Sequence, residues 1–400
     1  MQTQFKRVEH ALLALQQGKM IILTDDPERE NEGDLICAAE KITTAQMNFM
    51  IREGTGIVCL SLTNERLQQL QIPLMVSSQE NTSLRGTPFT ISIDARDGIT
   101  TGVSAEDRVT TIAAVMNEAT TAQGIVKPGH IFPLLAREGG VLERQGHTEG
   151  AVDLAKLAGF KPAAVLCEIM NSDGSMARGQ QLNAFAEKHQ LLQLSIADIM
   201  AYRLYKENMI EEKTTATLPL EKYGTFDITV FKDKISGKEH FALFKNTGDN
   251  PPLVRIHSSC ITGDLFSSER CDCHQQLHYS LEKIAEEGGI LIYLDQEGRG
   301  IGLFNKIKAY ALQENGCNTI EANERLGLPI DAREYYIAAH FLQHLQIHEI
   351  RLLTNNPQKI QALAQYDIQV TQELMPAFLQ KHNQFYLMTK KEKLNHTLKF

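Results

Sequence analysis

The sequence lacks the features that mark membrane proteins and nucleic-acid-binding proteins. No apolar run reaches the roughly eighteen residues that a transmembrane helix needs, and the first nineteen residues have the pattern of an amphipathic helix rather than of a signal peptide. Basic residues are not in excess, since 40 Lys and Arg stand against 49 Asp and Glu and the net charge is −9. Nonspecific nucleic-acid binding depends on such an excess. We therefore expect a soluble cytoplasmic protein with small-molecule partners and with no membrane or nucleic-acid partner.

The chain also lacks internal repeats, and its pattern favours two layered domains of the α/β or α+β class. Its 400 residues are enough for two or three domains with cores of their own. Short apolar runs alternate with helical patterns, which predicts helices packed against sheets. A polar stretch at 206–218 predicts a linker between domains at 1–205 and 219–400. The strands predicted in the first half are Met20–Leu23, Leu35–Ala38, Gly56–Leu62, Phe89–Ile93, Ile131–Leu135 and Ala164–Ile169, and the helices lie near Ala45–Arg52, Asn64–Leu70, Ala105–Glu118, Glu149–Ala158 and Leu182–His189.

Cysteine is scarce but unevenly placed. Three of the seven cysteines, Cys260, Cys271 and Cys273, fall within fourteen positions. Without a secretion signal, such a group indicates reduced thiols and a bound metal rather than a disulfide. Thiolates favour zinc, and three protein ligands leave the fourth tetrahedral position for water, as in a catalytic site. A closed structural site and buried cysteines that bind nothing are the alternatives. Cys317 lies far along the chain, and we predict that it is not a ligand. The cations predicted to offset the thiolate charge are Arg255, His257 and Arg270.

Acidic residues are concentrated between two predicted strands. The run Asp25–Asp34 holds six carboxylates. Such a run is usually a solvated loop, but loops between the strands of α/β folds commonly carry functional sites. In an extended conformation Glu30, Glu32 and Asp34 would share one side and offer hard oxygens to Mg²⁺ or Mn²⁺. Arg29 would then face elsewhere, or the loop would have to turn.

Two further stretches have the pattern of helix N-termini. Thr101–Arg108 has the spacing of a capping box, although its free N–H groups would equally suit a phosphate. Arg144–Glu149 places a cation, a histidine and a hydroxyl at the start of another helix, which favours a bound anion. His130 and His147 bracket a predicted hairpin. Together with Glu168, at the end of a strand, they are candidate acid and base groups.

Together these stretches resemble the 3,4-dihydroxy-2-butanone-4-phosphate synthase family of riboflavin biosynthesis. The resemblance covers about residues 5–203 and is carried by Asp25–Asp34, Phe89–Asp94, Thr101–Arg108, Gly129–Pro133, Gly146–Glu149 and Cys167–Asn171. It implies conversion of ribulose 5-phosphate to 3,4-dihydroxy-2-butanone 4-phosphate and formate. It also implies that Glu30 and His147 hold Mg²⁺ or Mn²⁺, that His130 and Glu168 transfer protons, and that Cys59 lies near the site. The implied substrate ligands are Arg29, Glu30, Asp34, Arg144, Gln145, Gly146, His147, Thr148 and Glu168.

The second half is predicted to contain a phosphate-binding loop. The elements predicted there are a hairpin of 224–232 with 240–245, a helix at about 275–286, a strand at 290–294 and a helix at 303–314. The glycine-rich loop Asp295–Gly302 lies between that strand and the last helix, which is typical of a phosphate cradle. It lacks the third glycine of a dinucleotide fingerprint, and Arg299 fits a phosphate loop better. Asp331 and Arg333 precede a further helix, where charged pairs are commonly caps or surface ion pairs.

These elements resemble GTP cyclohydrolase II over about residues 219–396, including the tail segment Phe385–Lys390. The resemblance implies zinc at the three cysteines, Mg²⁺ with GTP, and conversion of GTP to 2,5-diamino-6-(5-phosphoribosylamino)pyrimidin-4-one, formate and pyrophosphate. By this resemblance Asp331 accepts a proton, Arg333 is the nucleophile on the α-phosphate, and Tyr310 lies in the active site. The implied GTP contacts are Arg255, Ile256, His257, Ser258, Ser259, Gln276, Glu297, Gly298, Arg299, Thr319, Thr354 and Lys359.

Three positions depart from the usual pattern of the second family. Ser259 stands in place of glutamate, His274 in place of glycine and Asp295 in place of arginine, and we expect weakened GTP affinity at most. The leading hypothesis is a bifunctional, homodimeric enzyme that makes both precursors of riboflavin. In the alternative only the first half is active, and the second half is a zinc-stabilised noncatalytic or regulatory module. A nucleotide-binding sensor without turnover is the third hypothesis.

Overall fold

The computed structural model describes residues 2–246, 251–393 and 397. The chain divides into two compact units, Met1–Arg203 and Leu204–Phe400. Within the described ranges, no helix combines the length and the apolar character needed to cross a bilayer.

The first unit contains a seven-stranded mixed sheet. Its strands are β1 Ile21–Thr24, β2 Gly33–Ala38, β3 Cys59–Leu62, β4 Ile93–Ala95, β5 Ile125–Leu135, β6 Ala164–Glu168 and β7 Leu192–Ser195. They lie in the order β4-β5-β3-β6-β2-β1-β7. The pairs β1/β7 and β3/β5 are parallel, and the other neighbouring pairs are antiparallel.

Helices cover both faces of this sheet. They are α1 Gln2–Gln16, α2 Thr44–Phe49, α3 Asn64–Gln69, α4 Ala105–Met116, α5 His147–Leu157, α6 Gln180–His189 and α7 Ile196–Lys206. Successive strand residues enter different cores, as the alternation of a pleated strand requires. Ile22 and Leu35 pack in the cluster that includes α2 and α4 residues, while Ile21 and Ile36 pack in the cluster that includes α1 and α5 residues.

The second unit is built on another seven-stranded mixed sheet. Its strands are β8 Ile210–Leu220, β9 Gly224–Asp233, β10 Glu239–Lys245, β11 Leu253–Ser258, β12 Gly289–Leu294, β13 Glu349–Leu353 and β14 Gln369–Glu373, in the order β14-β13-β11-β12-β10-β9-β8. The first four strands of that order are parallel, and β12, β10, β9 and β8 are antiparallel. The helices are α8 Ile261–Asp264, α9 Cys273–Glu287, α10 Gly302–Glu314, α11 Thr319–Arg325, α12 Tyr336–His344, α13 Pro357–Ala364 and α14 Gln384–Lys393.

The predicted fold class is confirmed, and the structure corrects two local predictions and adds two elements to the first unit. Most of 206–218, predicted as a linker, belongs to the edge strand β8, which pairs along its length with β9. The strand predicted at Phe89–Ile93 forms a ladder only from Ile93 onward. The segment before Ile93 lies opposite Pro133, which has no N–H to donate and therefore interrupts the hydrogen-bond ladder between the strands. The strand β7 and the helix α7 were not predicted.

Candidate active sites

The acidic run of the first unit is a tight loop organised by the Asp25 carboxylate. Asp25 Oδ2 accepts hydrogen bonds from the backbone N–H of Glu30 at 3.0 Å and from Arg29 Nη1 at 2.9 Å. Its other oxygen accepts one from the backbone N–H of Glu32 at 2.9 Å. Arg29 Nη1 also donates to Glu30 Oε2 at 2.7 Å. Asp25 therefore fixes the backbone that presents Glu30.

The extended arrangement predicted for Glu30, Glu32 and Asp34 is wrong. The chain reverses before β2, and Asn31 adopts a left-handed conformation with a φ of 56°, which asparagine tolerates better than most residues. The Glu32 carboxylate instead accepts a hydrogen bond from Arg178 Nη2 at 2.7 Å. Glu30, Glu32 and Asp34 therefore do not alternate along an extended strand, and Glu32 turns to Arg178.

Asp25, Glu30 and His147 bring three potential metal ligands together. Their ligand atoms lie within 4.8 Å of one another, and His147 Nδ1 is 3.9 Å from both Glu30 Oε2 and Asp34 Oδ2. Burial lowers the pKa of His147 to about 4, so the ring is neutral near pH 7, as a metal ligand must be. Among the described residues His147 Nε2 is buried without a hydrogen-bond partner. This donor set fits a divalent cation.

Two carboxylates lie side by side at the end of this sheet. Asp34 of β2 pairs in register with Glu168 of β6. Burial raises the pKa of Asp34 well above its ordinary value, and the negative charge of Glu168 raises it further. Burial also raises the pKa of Glu168, whose Oε2 accepts a hydrogen bond from the backbone N–H of Ile57 at 2.8 Å. A Cβ at Gly56 would lie 2.6 Å from Glu168 Oε2, so glycine is needed for this approach. Both carboxylates retain a proton more readily than exposed ones.

His130 is held by an aspartate that the sequence analysis did not assign to the site. His130 Nδ1 lies 2.7 Å from Asp94 Oδ2, and its backbone N–H donates to Asp94 Oδ1 at 3.0 Å. Gly102 packs against this pair, since a Cβ there would be 2.5 Å from His130 Nδ1. The strands β5 and β6 flank β3, and Cys59 of β3 pairs with Phe132 on β5 and with Leu166 on β6. His130 lies two positions before Phe132, and Glu168 lies two positions after Leu166. The register thus brings both predicted proton-transfer residues to the same end of the sheet.

The segment 101–108 contains the predicted helix cap. The Ser104 side chain accepts a hydrogen bond from the backbone N–H of Asp107 at 3.1 Å. The Asp107 carboxylate accepts hydrogen bonds from Thr100 Oγ1 at 2.7 Å, from the Thr100 N–H at 2.9 Å and from the Gly102 N–H at 3.0 Å. The Thr100 hydrogen bonds lower the pKa of Asp107 to about 2. The structure favours the structural interpretation, in which Asp107 shapes the turn that packs on His130.

The predicted anion-binding segment lies at the N-terminus of α5. Arg144 Nη1 donates to the fully buried Glu149 at 2.6 Å, and Nη2 donates to Thr87 Oγ1 at 3.3 Å. Gly146 is the N-cap residue of the helix. Thr148 is buried beside it. The segment therefore places an oriented guanidinium beside the free N–H groups of a helix start.

The three clustered cysteines of the second unit do converge. Their sulfur atoms lie within 4.8 Å of one another, and the Cys260 and Cys271 Sγ atoms are 3.7 Å apart. Two thiolates on one tetrahedral zinc, each at about 2.3 Å, lie roughly 3.8 Å apart. Gly263 leaves space for them, since a Cβ there would be 2.9 Å from Cys271 Sγ. Cys317 packs in a separate apolar cluster with Ala309 and Ala322. The cluster thus fits zinc with the three predicted ligands.

A lysine that the sequence analysis missed provides the cation at this cluster. Lys306 Nζ donates to Cys260 Sγ at 3.1 Å and to Glu297 Oε1 at 2.8 Å. Burial alone would lower the pKa of Lys306, but the charge of the Cys260 thiolate raises it above its ordinary value. The three predicted cations interact with other groups: Arg255 donates to Gln276, His257 contacts Asp264, and Arg270 pairs with Glu314.

The thiols open into a cavity of about 380 Å³. The predicted GTP contacts that line it are Arg255, His257, Ser258, Ser259, Gln276, Glu297, Gly298, Arg299, Thr319, Thr354 and Lys359, together with Tyr310 and Arg333. Ile256 is the exception, because the pleat of β11 turns its side chain into the core. Its carbonyl accepts a hydrogen bond from Lys359 Nζ at 2.7 Å. Asp331 is not among the described residues that line the cavity, but it accepts a hydrogen bond from Arg333 Nε at 2.8 Å.

The cavity is suited to a polyanion. Burial lowers the pKa of Arg255 to about 10 and that of Lys359 well below its ordinary value. Both are therefore buried cations without enough negative charge nearby to offset the loss of water. Within the described part of the chain, Arg255 Nε and Arg299 Nη1 are buried without hydrogen-bond partners. The loop that carries Arg299 has left-handed φ values of 62°, 60° and 90° at Gly298, Arg299 and Gly300, and Arg299 O accepts a hydrogen bond from Ala332 N–H at 2.9 Å. An anionic ligand would supply the missing partners.

Two of the three departures from the family pattern lie away from the cavity. The His274 ring packs against that of His278 at 4.2 Å, and Asp295 is exposed. Neither is among the described residues that line the cavity. Ser259 does line it, and its Oγ accepts a hydrogen bond from the backbone N–H of Gln296 at 3.1 Å. The departures therefore leave the thiols and the cationic wall intact.

Each half of the chain matches a protein family, and the full chain matches proteins that contain both halves. A family model of 3,4-dihydroxy-2-butanone 4-phosphate synthase matches residues 9–202, and one of GTP cyclohydrolase II matches residues 211–375. Riboflavin biosynthesis protein RibBA of Aquifex aeolicus (strain VF5) is 50% identical over 400 residues, which cover 98% of each chain. The RibBA protein of Bacillus mycoides (strain KBAB4) is 50% identical over 401 residues, covering 98% of this chain and 99% of its own.

A solved structure resembles both units. RibBX, described as a two domain 3,4-dihydroxy-2-butanone 4-phosphate synthase from A. baumannii, is 34% identical with a TM-score of 0.66, covering 92% of this chain and 99% of its own. The two resemblances seen in the sequence are thus confirmed. The chain belongs to the RibBA family of bifunctional riboflavin biosynthesis enzymes, which join a 3,4-dihydroxy-2-butanone 4-phosphate synthase to a GTP cyclohydrolase II.

Proposed function

We propose that the acidic loop site of the first unit carries the ribulose 5-phosphate reaction and that the thiol cavity of the second unit carries the GTP reaction. The observation that supports this assignment is the difference between the two donor sets. Carboxylates with one neutral imidazole favour Mg²⁺ or Mn²⁺, whereas three thiolates favour zinc. This difference supports a separate reaction in each unit, with a donor set that suits the metal implied by each resemblance.

In the first site Glu30 and His147 hold the divalent cation, with Asp25 beside them. When bound, the ion polarises the carbonyl and diol oxygens of the substrate. Glu168 moves protons between substrate carbons and oxygens, and burial, which raises its pKa above the ordinary value, makes its acid form more accessible than that of an exposed carboxylate. His130 is the second proton carrier, and Asp94 fixes its tautomer and orientation.

The charged groups around the cation bind the substrate in this site. Arg29 and Arg144 bind the phosphate, and the free N–H groups at the start of α5, Gln145–Thr148, support it. Asp34 accepts hydrogen bonds from substrate hydroxyls. Among the residues that the structure describes, its Oδ1 is buried without a partner, which leaves that oxygen available to a ligand.

In the second site Cys260, Cys271 and Cys273 hold zinc. Zinc held there would supply a water molecule acidified for attack on C8 of guanine. Lys306 offsets part of the thiolate charge. Without such a cation the three thiolates would weaken the ion as a Lewis acid.

The cationic wall of this cavity binds the triphosphate with its Mg²⁺. Arg255, Arg299 and Lys359 provide the positive charge. Arg333 attacks the α-phosphate and displaces pyrophosphate, and Asp331 accepts the guanidinium proton, since the carboxylate already accepts hydrogen bonds from Arg333. Water then cleaves the phosphorus–nitrogen bond, which leaves the phosphate on the nucleotide and frees Arg333. The same pairing holds the nucleophile in one orientation.

We also propose a cytoplasmic homodimer. All seven cysteines are free thiols, which supports a reducing compartment, and the dimer is implied by the resemblance to both families. Sedimentation equilibrium of the purified chain tests the dimer. A molar mass equal to that of one chain at micromolar concentration would overturn it.

Formate release tests both site assignments in one protein. The wild-type chain is expected to release formate from ribulose 5-phosphate with Mg²⁺ and, independently, from GTP with zinc and Mg²⁺. Cys271→Ser should lower GTP turnover more than 100-fold and leave the sugar reaction intact, and His147→Ala should do the reverse. Cys317→Ser, a buried thiol outside the cluster, is the matched control and should change neither rate by more than about twofold. A variant at either site that stopped both reactions would contradict the assignment.

A further inference from the structure

The C-terminal helix α14 forms part of the wall of the thiol cavity. Tyr386 and Lys390, one helical turn apart, both line the cavity. Lys390 Nζ donates to Asp272 Oδ1 at 2.9 Å and lies 4.4 Å from the centre of the Tyr386 ring. Asp272 is 1% exposed and Lys390 is 9% exposed, so solvent screens this ion pair little. The helix is therefore fastened to the cavity by a buried ion pair.

The attachment point lies inside the metal-binding turn. Asp272 stands between Cys271 and Cys273, and its second oxygen accepts a hydrogen bond from Gln276 Nε2 at 2.6 Å. The Arg299 guanidinium lies 5.6 Å from the Tyr386 centroid. The Tyr386 ring is thus close both to the lysine that binds the thiol turn and to the arginine of the glycine-rich loop.

This position matches the place of a purine base. In the proposed GTP reaction the base must reach the thiols while the phosphates reach the arginines, and the Tyr386 ring lines the same cavity close to the thiol turn and to Arg299. Aromatic side chains bind bases by stacking one ring on another, and this contact can form in a polar cavity because it needs only the faces of the two rings. We infer that Tyr386 is a further contact for the purine base of the substrate and that Lys390, through Asp272, is the positioning residue that holds α14 in place. The inference rests on the proposed function of the cavity.

Steady-state kinetics of the full-length chain test this inference. Tyr386→Ala is expected to raise KM for GTP about tenfold or more, and Tyr386→Phe, which keeps the ring, should stay within about threefold of the wild type. Lys390→Met should raise KM in the same direction, and Lys390→Arg should restore it. Lys391→Met, an exposed lysine on the same helix, is the matched control. Zinc content and the rate of formate release from ribulose 5-phosphate should stay at wild-type values in all five variants.

Each outcome decides the inference. A KM of Tyr386→Ala equal to that of the wild type would overturn the base contact. Loss of zinc together with GTP turnover in Lys390→Met would overturn the positioning role, since α14 would then act on the metal site alone. If the wild type itself released no formate from GTP, the proposed function would fail, and calorimetric titration with GTP would decide the inference separately. Equal GTP affinity of the wild type and Tyr386→Ala would overturn it there too.

Discussion

Replacement of Gly263 by alanine should selectively weaken the thiol site. The new methyl group would lie 2.9 Å from Cys271 Sγ and 3.1 Å from Cys260 Sγ. Ordinary contacts of this kind begin near 3.5 Å, so two sulfur atoms would have to move by about 0.4–0.6 Å, whereas metal–ligand distances tolerate only about 0.2 Å. Overpacking of this size costs about 1–3 kcal/mol, which corresponds to zinc binding that is weaker by a factor of about 5–150.

The assay combines metal content with both formate-releasing reactions. After dialysis against a chelator, Gly263→Ala should retain less zinc than the wild type and release formate from GTP more slowly, while the ribulose 5-phosphate reaction continues unchanged. Gly124→Ala is the matched control, because its Cβ would meet only the Thr120 side chain, at 2.8 Å, away from both sites. Wild-type zinc retention and GTP turnover in Gly263→Ala would refute the reasoning.

Three further variants test other parts of the molecule. In Gly56→Ala the added methyl would lie 2.6 Å from Glu168 Oε2, and we expect the rate of the sugar reaction to fall at least tenfold with GTP turnover unchanged. A sugar reaction as fast in the variant as in the wild type would contradict the role of Glu168. Hydrogen bonds from Thr100 hold the pKa of Asp107 near 2, so its contribution to the stability of the first unit is present above about pH 4 and is lost as the pH falls toward 2. Thermal unfolding should show that Asp107→Asn is less stable at pH 6 and that its stability depends less on pH between 4 and 2, whereas a parallel pH dependence would exclude this carboxylate as the cause. His274→Gly, which restores the usual family residue outside the cavity, should change KM for GTP by less than about twofold, and a larger decrease would show that the His274 ring affects the nucleotide.

The fold and the main site residues could be predicted from local patterns because those patterns reflect local physics. The alternation of Ile21 and Ile22 between two cores follows from the strand pleat. The edge strand β8 was mistaken for a linker because many of its side chains, such as Thr214 and Thr215, face solvent. An edge strand with polar side chains looks like a loop in sequence, and only its pairing with β9 reveals it.

The residues that prediction missed act across long sequence separations. Lys306 is 46 positions from Cys260, and Asp94 is 36 positions from His130. Nothing local marks either residue as a partner, since each is defined by tertiary packing. Asp25 was visible as one carboxylate of an acidic run, but its role depends on the reversal of the loop at Asn31. Sequence patterns identified the chemical groups, and the fold decided which of them meet.

The distribution of cysteines makes the two activities unequally sensitive to oxidants. In the first unit, burial raises the pKa of Cys37 and of Cys167 to about 12, so these thiols are chemically inert. In the second unit Cys260 and Cys271 line the cavity with their Sγ atoms 3.7 Å apart, so an oxidant that enters the cavity meets two adjacent sulfur atoms. Peroxide would then stop the purine branch first. One polypeptide would go on delivering the four-carbon precursor while the supply of the pyrimidine precursor failed.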